Sequence, residues 1–182
     1  MAHQFTTSYL ADSLTVLRQY KRMAERAMEQ VTDEQLSRTL DEEGNSIAVL
    51  VQHMAGNMRS RWTDFFTSDG EKPDRKRDGE FEPPSVPRDG LMEIWEAGWR
   101  CVFDALEPLS DADMARTVLI RGEPHSVMQA INRQMAHYAC HAGQIVFLAK
   151  HFQSAAWSSL SVPRGKSEEF NRRVSRDEAS RR

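Results

Sequence analysis

The chain has 182 residues, a net charge of −3 and a sequence pI of about 6.1. This length is typical of one domain and allows a hydrophobic core without disulfide or metal staples. The weakly acidic balance argues against nonspecific nucleic-acid binding, and the sequence has neither a signal-peptide pattern nor an apolar stretch of membrane-spanning length. With only Cys101 and Cys140, both expected in helices, we predict reduced thiols and a cytoplasmic single-domain protein with no nucleic-acid or membrane partner.

Four segments have apolar residues at helical spacing, as in Leu10, Leu14 and Leu17 of the first. They predict helices over about 6–31, 46–67, 89–107 and 127–151. A β-prone run at 117–120 predicts a short strand or extended turn before the fourth helix. Ser126 and Gln129 have the spacing of a capping box at the start of that helix. A charged tail that is capable of forming a helix follows from about residue 158.

Residues 68–88 are rich in glycine, proline and charge, and we expect an irregular connection that packs little. Four amphipathic helices and no sizeable sheet predict an all-α fold, a four-helix bundle with one core. The long crossover between the second and third predicted helices leaves room for those helices to be parallel. The expected order is therefore up-down-down-up over a single domain, residues 1–182.

Three histidines are the candidate chemical site. His137 and His141 are four residues apart and project about 40° from each other on one helix face. His53 lies in the middle of the second predicted helix and can be level with them in a bundle. Three imidazoles from two helices would form an open metal centre, suited to zinc, nickel, copper or iron. The alternative is that these are partly buried histidines bonded to carbonyl groups or water.

The neighbouring residues restrict the chemistry. Tyr138 stands where the zincin motif H-E-x-x-H has its glutamate, which disfavours a metalloprotease. With no adjacent carboxylate base evident, a reaction would rest on the metal, through bound water or a substrate thiol. Asn57 and Gln144 are candidates for orienting a ligand or contacting substrate. Cys140 is rotated away from both histidines on its helix, and we expect a small buried residue there.

Several basic residues lie near His53 along the chain. They are Arg59, Arg61, Arg75, Lys76 and Arg77, and they could gather an anionic substrate. Charged residues at helix ends and in loops are usually a solvated surface, and we expect that role for these five.

The chain resembles the DinB/YfiT-like family of four-helix metalloenzymes over nearly its whole length, within an uncharacterised branch. The resemblance rests on Asn-Ser-Ile-Ala at 45–48, His-Met-Ala-Gly-Asn at 53–57, Gly-Glu-Pro-His at 122–125, Ile-Asn-Arg-Gln at 131–134, His-Tyr-Ala-Cys-His-Ala-Gly-Gln-Ile at 137–145 and Pro-Arg-Gly-Lys-Ser-Glu-Glu-Phe at 163–170. It maps the family's histidine triad onto His53, His137 and His141.

The resemblance implies a nickel or zinc ion with open positions, and a homodimer. Because several relatives are bacillithiol or mycothiol S-transferases, it also implies transfer of a low-molecular-weight thiol to an electrophile. Two alternatives remain: hydrolysis by metal-bound hydroxide, which needs the same three ligands, and a non-catalytic dimeric bundle that binds a metal or ligand. In either enzyme the substrate would be a small molecule.

Overall fold

A computed structural model describes residues 5–176, which are mostly helical. The helices are α1 Tyr9–Met28, α2 Asp33–Ser37, α3 Ile47–Trp62, α4 Arg88–Leu106, α5 Val127–Gln153 and α6 Ser167–Ser175. Short 3₁₀ helices lie at Asp78–Phe81, Asp111–Ala115 and Ser154–Ala156. Strands β1 Thr117–Ile120 and β2 Glu123–Ser126 form an antiparallel hairpin, with Thr117 opposite Ser126. Across this part of the chain, no helix is both long and apolar enough to span a bilayer.

The four long helices share one hydrophobic core. Helix α3 packs mainly on α4, and α1 packs mainly on α5, while α3 also contacts α5. The largest fully buried side chains include Trp62, Trp95, Trp99 and Tyr138. Helix α3 is buried on most sides, as its run of buried residues 47–51 shows. A polar residue in the middle of α3 therefore faces other helices or the connection between α3 and α4, residues 63–87, which we call the link.

The predicted elements are present, and their ends differ from the predictions. The second predicted helix, expected to reach residue 67, ends at Trp62 because Thr63 is extended and Asp64 has a left-handed φ of 50°. The first is shorter at both ends, and the fourth continues to Gln153. The strand at 117–120 and the Ser126–Gln129 capping box are confirmed. The charged, helix-capable tail contains α6.

The link between α3 and α4 is more ordered than the sequence suggests, and the expectation that it packs little is wrong. The amide of Gln52 donates to the carbonyl oxygens of Gly79, Glu80 and Glu82 at 3.1, 3.2 and 3.0 Å. Farther along α3, the Ser60 hydroxyl donates to the Gly70 carbonyl at 3.0 Å. These contacts hold the link against α3 at Gly70 and at residues 79–82, which brings charged residues of the link beside His53.

Candidate metal centre

The structure brings the three predicted histidines together. His53 comes from α3, and His137 and His141 come from successive turns of α5. The Nε2 atom of His137 lies 3.3 Å from His53 Nε2 and 3.0 Å from His141 Nε2. One ligand atom from each residue falls within 4.8 Å of the others. Among the described residues, no other group of three histidine, cysteine or acidic side chains brings its ligand atoms this close together.

These separations match a shared ion. Zinc–imidazole bonds are about 2.0–2.1 Å, so two nitrogens on one ion are about 2.9–3.4 Å apart for angles between octahedral and tetrahedral values. The two nitrogen–nitrogen distances from His137 lie within that range. Three nitrogens converging from two helices leave the remaining positions of an ion open. The donor set therefore fits a divalent metal.

The outer nitrogens of two histidines have acceptors that fix their orientation. His53 Nδ1 lies 2.9 Å from Glu80 Oε2, and His141 Nδ1 lies 2.7 Å from Gln144 Oε1. Both contacts place the proton on Nδ1 and leave an Nε2 lone pair directed into the cluster. A carboxylate or amide behind a histidine ligand is the usual arrangement at metal sites, because it holds the ring and strengthens its basicity.

His137 completes the cluster as a neutral imidazole. Burial, together with the nearby His141 and His53, lowers the pKa of His137 to about 3. Burial also lowers the pKa of His141, although the hydrogen bond with Gln144 opposes that shift. Since His137 Nε2 can donate one proton at most, it cannot satisfy the lone pairs of both neighbours at once. A bound cation would satisfy all three nitrogens together.

Glu80 is the carboxylate that the sequence did not reveal. It forms a two-pronged ion pair with Arg75, at 2.7 Å from Arg75 Nε to Oε1 and 2.7 Å from Nη2 to Oε2. Burial alone would raise the pKa of Glu80, but the hydrogen bonds from Arg75 and His53 hold it below its usual value. Glu80 is therefore ionised and supports His53, which also packs against the Phe81 ring at 4.5 Å between centroids.

A cavity of about 310 Å³ opens beside the histidines and is rich in arginine. Its lining is His53, Asn57, Arg61, Arg75, Arg77, Arg121, Arg133, Gln134 and His137. The expectation that the basic residues near His53 are a solvated surface is wrong for Arg61 and Arg75, whose side chains are each only 4% exposed. It holds for Arg59 and Lys76, which are exposed, whereas Arg77 is exposed but also lines the cavity.

The two residues proposed from sequence as orienting groups have different surroundings. Gln144 contacts His141 directly, as described above. Asn57 is buried and accepts a hydrogen bond from the Tyr138 hydroxyl at 3.4 Å, and it also lines the cavity. Cys140 is exposed, so its expected burial is wrong, and it does not belong to the histidine cluster.

The positions of Arg61 and Arg133 could have been predicted from helical spacing in the sequence. His53, Asn57 and Arg61 are four apart in succession and lie along one face of α3. Arg133, His137 and His141 repeat that spacing on α5. Glu80 has no comparable signal, because it lies 27 residues from His53 in a link without helical periodicity.

Comparison with known proteins agrees with this fold. A family model described as protein of unknown function, DUF1572, matches residues 4–166. A crystal structure of a DinB-like protein from Bacillus cereus ATCC 10987 is similar at a TM-score of 0.54 and 16% identity, over 79% of this chain and 90% of that chain. No functionally curated protein matches the chain. The chain therefore belongs to the DUF1572 family and has a DinB-like fold.

Proposed function

We propose that this protein is a divalent-metal-dependent enzyme that transfers a low-molecular-weight thiol to a small electrophile. The observation that carries the proposal is the convergence of three imidazole nitrogens, with separations of 3.0 and 3.3 Å, in which the rings of His53 and His141 are held from behind by Glu80 and Gln144. His53, His137 and His141 would hold the ion. Nickel and zinc are the ions we propose, because both suit imidazole ligands.

The chemistry follows from the donor set. When bound, a divalent ion would lower the pKa of a coordinated thiol and favour the thiolate, which is the nucleophilic form. In the transfer, the thiol proton passes to solvent water, the sulfur bonds to the electrophilic carbon, and the leaving group departs with the electrons of the broken bond and is protonated by solvent. The residues of this chain bind and orient: the three histidines direct ring nitrogens inward, and Glu80 holds the His53 ring. Because Glu80 is engaged by Arg75 and His53, it is not a free general base.

The test is a panel of electrophiles incubated with the metal-loaded protein, with and without added thiols such as cysteine and glutathione. We expect turnover only when both a thiol and the metal are present, and none for His141→Ala. Ester or amide hydrolysis without any thiol would show that the protein is a hydrolase with the same metal centre, and not a thiol transferase. Metal binding without turnover of any substrate would favour a non-catalytic bundle.

Further expectations belong to the same proposal. The pairing of α1 with α5 and of α3 with α4 supports an up-down-down-up four-helix bundle. Free Cys101 and Cys140 suit a reducing, cytoplasmic environment. We also propose a homodimer, and the exposed Phe147 and Met128 on α5 offer apolar surface for such a contact. Size-exclusion chromatography with light scattering measures that state directly.

A further inference from the structure

The cavity beside the histidines contains a buried cation without a matching anion. Arg61 is 3% exposed, and its Nε and Nη1 atoms have no hydrogen-bond partner. Its closest acidic contact is Glu71 Oε2, 3.7 Å from Nη2. The same carboxylate oxygen also lies 3.3 Å from Arg75 Nη1 and 3.4 Å from Arg121 Nε. Glu71 therefore cannot neutralise Arg61, and a buried guanidinium without full pairing is unfavourable.

Unpartnered buried polar atoms are concentrated at this cavity. Over residues 5–176 they are Arg61 Nε and Nη1, Trp99 Nε1, Gln134 Oε1 and His137 Nδ1. Apart from Trp99, every one of these residues lines the cavity. Native proteins rarely leave such groups unpaired, so their concentration in one place indicates a bound partner.

The charge of the cavity defines the partner. Its lining includes five arginines and no carboxylate, and behind the lining Glu71 and Glu80 are the carboxylates that contact the guanidinium groups of Arg61, Arg75 and Arg121. A cavity with one sign of charge and partly buried walls attracts counter-charged ligands. The unpartnered Nε and Nη1 atoms of Arg61 can each donate a hydrogen bond to an oxygen of a carboxylate or a phosphate group. Arg61 packs closely against Gly70, where an added Cβ would lie 2.7 Å from Arg61 Nη1.

We infer that this cavity binds an oxyanion group of the substrate, a carboxylate or a phosphate, through Arg61 and Arg133. The inference rests on the proposed function, since His53 and His137 line the same cavity and would present the ion beside this ligand. The Cα atoms of His53 and Arg61 are about 12 Å apart along α3, at 1.5 Å per residue. The substrate is therefore a small acidic molecule with its reactive centre at the histidines and its acid group toward Arg61. A cavity of about 310 Å³ suits such a molecule.

Anion binding is measured on metal-free, full-length protein, so that the result does not depend on the metal. Propionate and inorganic phosphate are titrated by calorimetry at constant ionic strength. We expect Arg61→Met and Arg133→Met each to weaken binding, Arg61→Met by about ten-fold to a hundred-fold. The matched control is Arg59→Met, an exposed arginine on the same helix outside this cavity, which should bind as the wild type does. The preferred probe distinguishes a carboxylate substrate from a phosphorylated one.

Because Arg61 is buried, Arg61→Met could in principle fail to fold, and exposed Arg133 then decides the outcome through Arg133→Met. Absence of binding of both probes to the wild type overturns the inference, as does equal loss in the Arg59→Met control or wild-type affinity in both cavity variants. If the protein binds metal but neither propionate nor phosphate, the oxyanion site is refuted and the metal centre is not. Anion binding without metal binding refutes the metal centre and leaves the oxyanion site standing.

Discussion

Gly56 lies against the carboxylate of Glu80, and Gly56→Ala tests whether that carboxylate supports the metal ligand His53. A Cβ at position 56 would lie 2.4 Å from Glu80 Oε1 and 2.7 Å from its Cδ. Ordinary contact begins at 3.4 Å, so the carboxylate must move by about 1 Å. That movement breaks the 2.9 Å contact to His53 Nδ1 and loosens the ion pair with Arg75. We expect zinc affinity to fall by about 10-fold to 100-fold.

The same substitution should reduce the free energy of unfolding. Alanine gains about 0.5–1 kcal/mol over glycine inside a helix. Complete loss of one partner from a buried ion pair destabilises by about 3–5 kcal/mol, so partial displacement should leave a net loss of roughly 1–3 kcal/mol. Zinc affinity is measured by competition with a chromophoric chelator, and stability by urea unfolding.

Gly143→Ala is the matched control for helix propensity. A Cβ at this exposed position on α5 meets nothing within 4 Å. It should therefore gain about 0.5–1 kcal/mol with unchanged zinc affinity. If Gly56→Ala also gains stability and binds zinc like the wild type, Glu80 does not support His53 in the way described.

Three further predictions concern the core and the site. Tyr138→Phe removes the acceptor of the 2.8 Å hydrogen bond from Trp62 Nε1 and should lower the free energy of unfolding by about 1–3 kcal/mol in urea titrations; an unchanged value would contradict that reasoning. Gly98→Ala places a Cβ 2.8 Å from the Ala55 Cα and should destabilise the α3–α4 contact by about 1–3 kcal/mol, which the same titrations would detect; a more stable variant would refute it. In metal-free protein, the pKa of about 3 keeps His137 neutral from pH 8 to pH 5, so its imidazole NMR shifts should stay constant there; titration near pH 6.5 would refute the burial argument.

The local parts of the site could be predicted from sequence because they obey helical periodicity. The four-residue spacing of His137 and His141, a mid-helix His53 and the expected bundle together predicted that three imidazoles can meet. Arg61 follows His53 at twice that spacing, and its burial depends on the link that covers it near Gly70. Periodicity places a residue on a helix face, whereas burial depends on what packs against that face.

The parts that escaped prediction depend on tertiary contacts. Glu80 reaches His53 because the Gln52 amide holds three carbonyl groups of the link against α3, and no local pattern encodes that docking. The end of α3 at Trp62 depends on the left-handed Asp64, although Phe65 maintains the apolar pattern and is still buried. Cys140 lies in a helix beside apolar residues, which suggested burial. It is exposed because it lies on a face of α5 that the other helices do not cover.

Metal analysis of untagged protein tests the central claim most directly, since a polyhistidine tag would itself bind nickel. The protein is stripped with a chelator, loaded with zinc or nickel, desalted and measured by inductively coupled plasma mass spectrometry. We expect about one ion per chain for the wild type and for Gly143→Ala, as three converging imidazoles imply. His137→Ala should retain almost none. An unloaded wild type, or equal metal content in His137→Ala, would contradict the three-histidine metal centre.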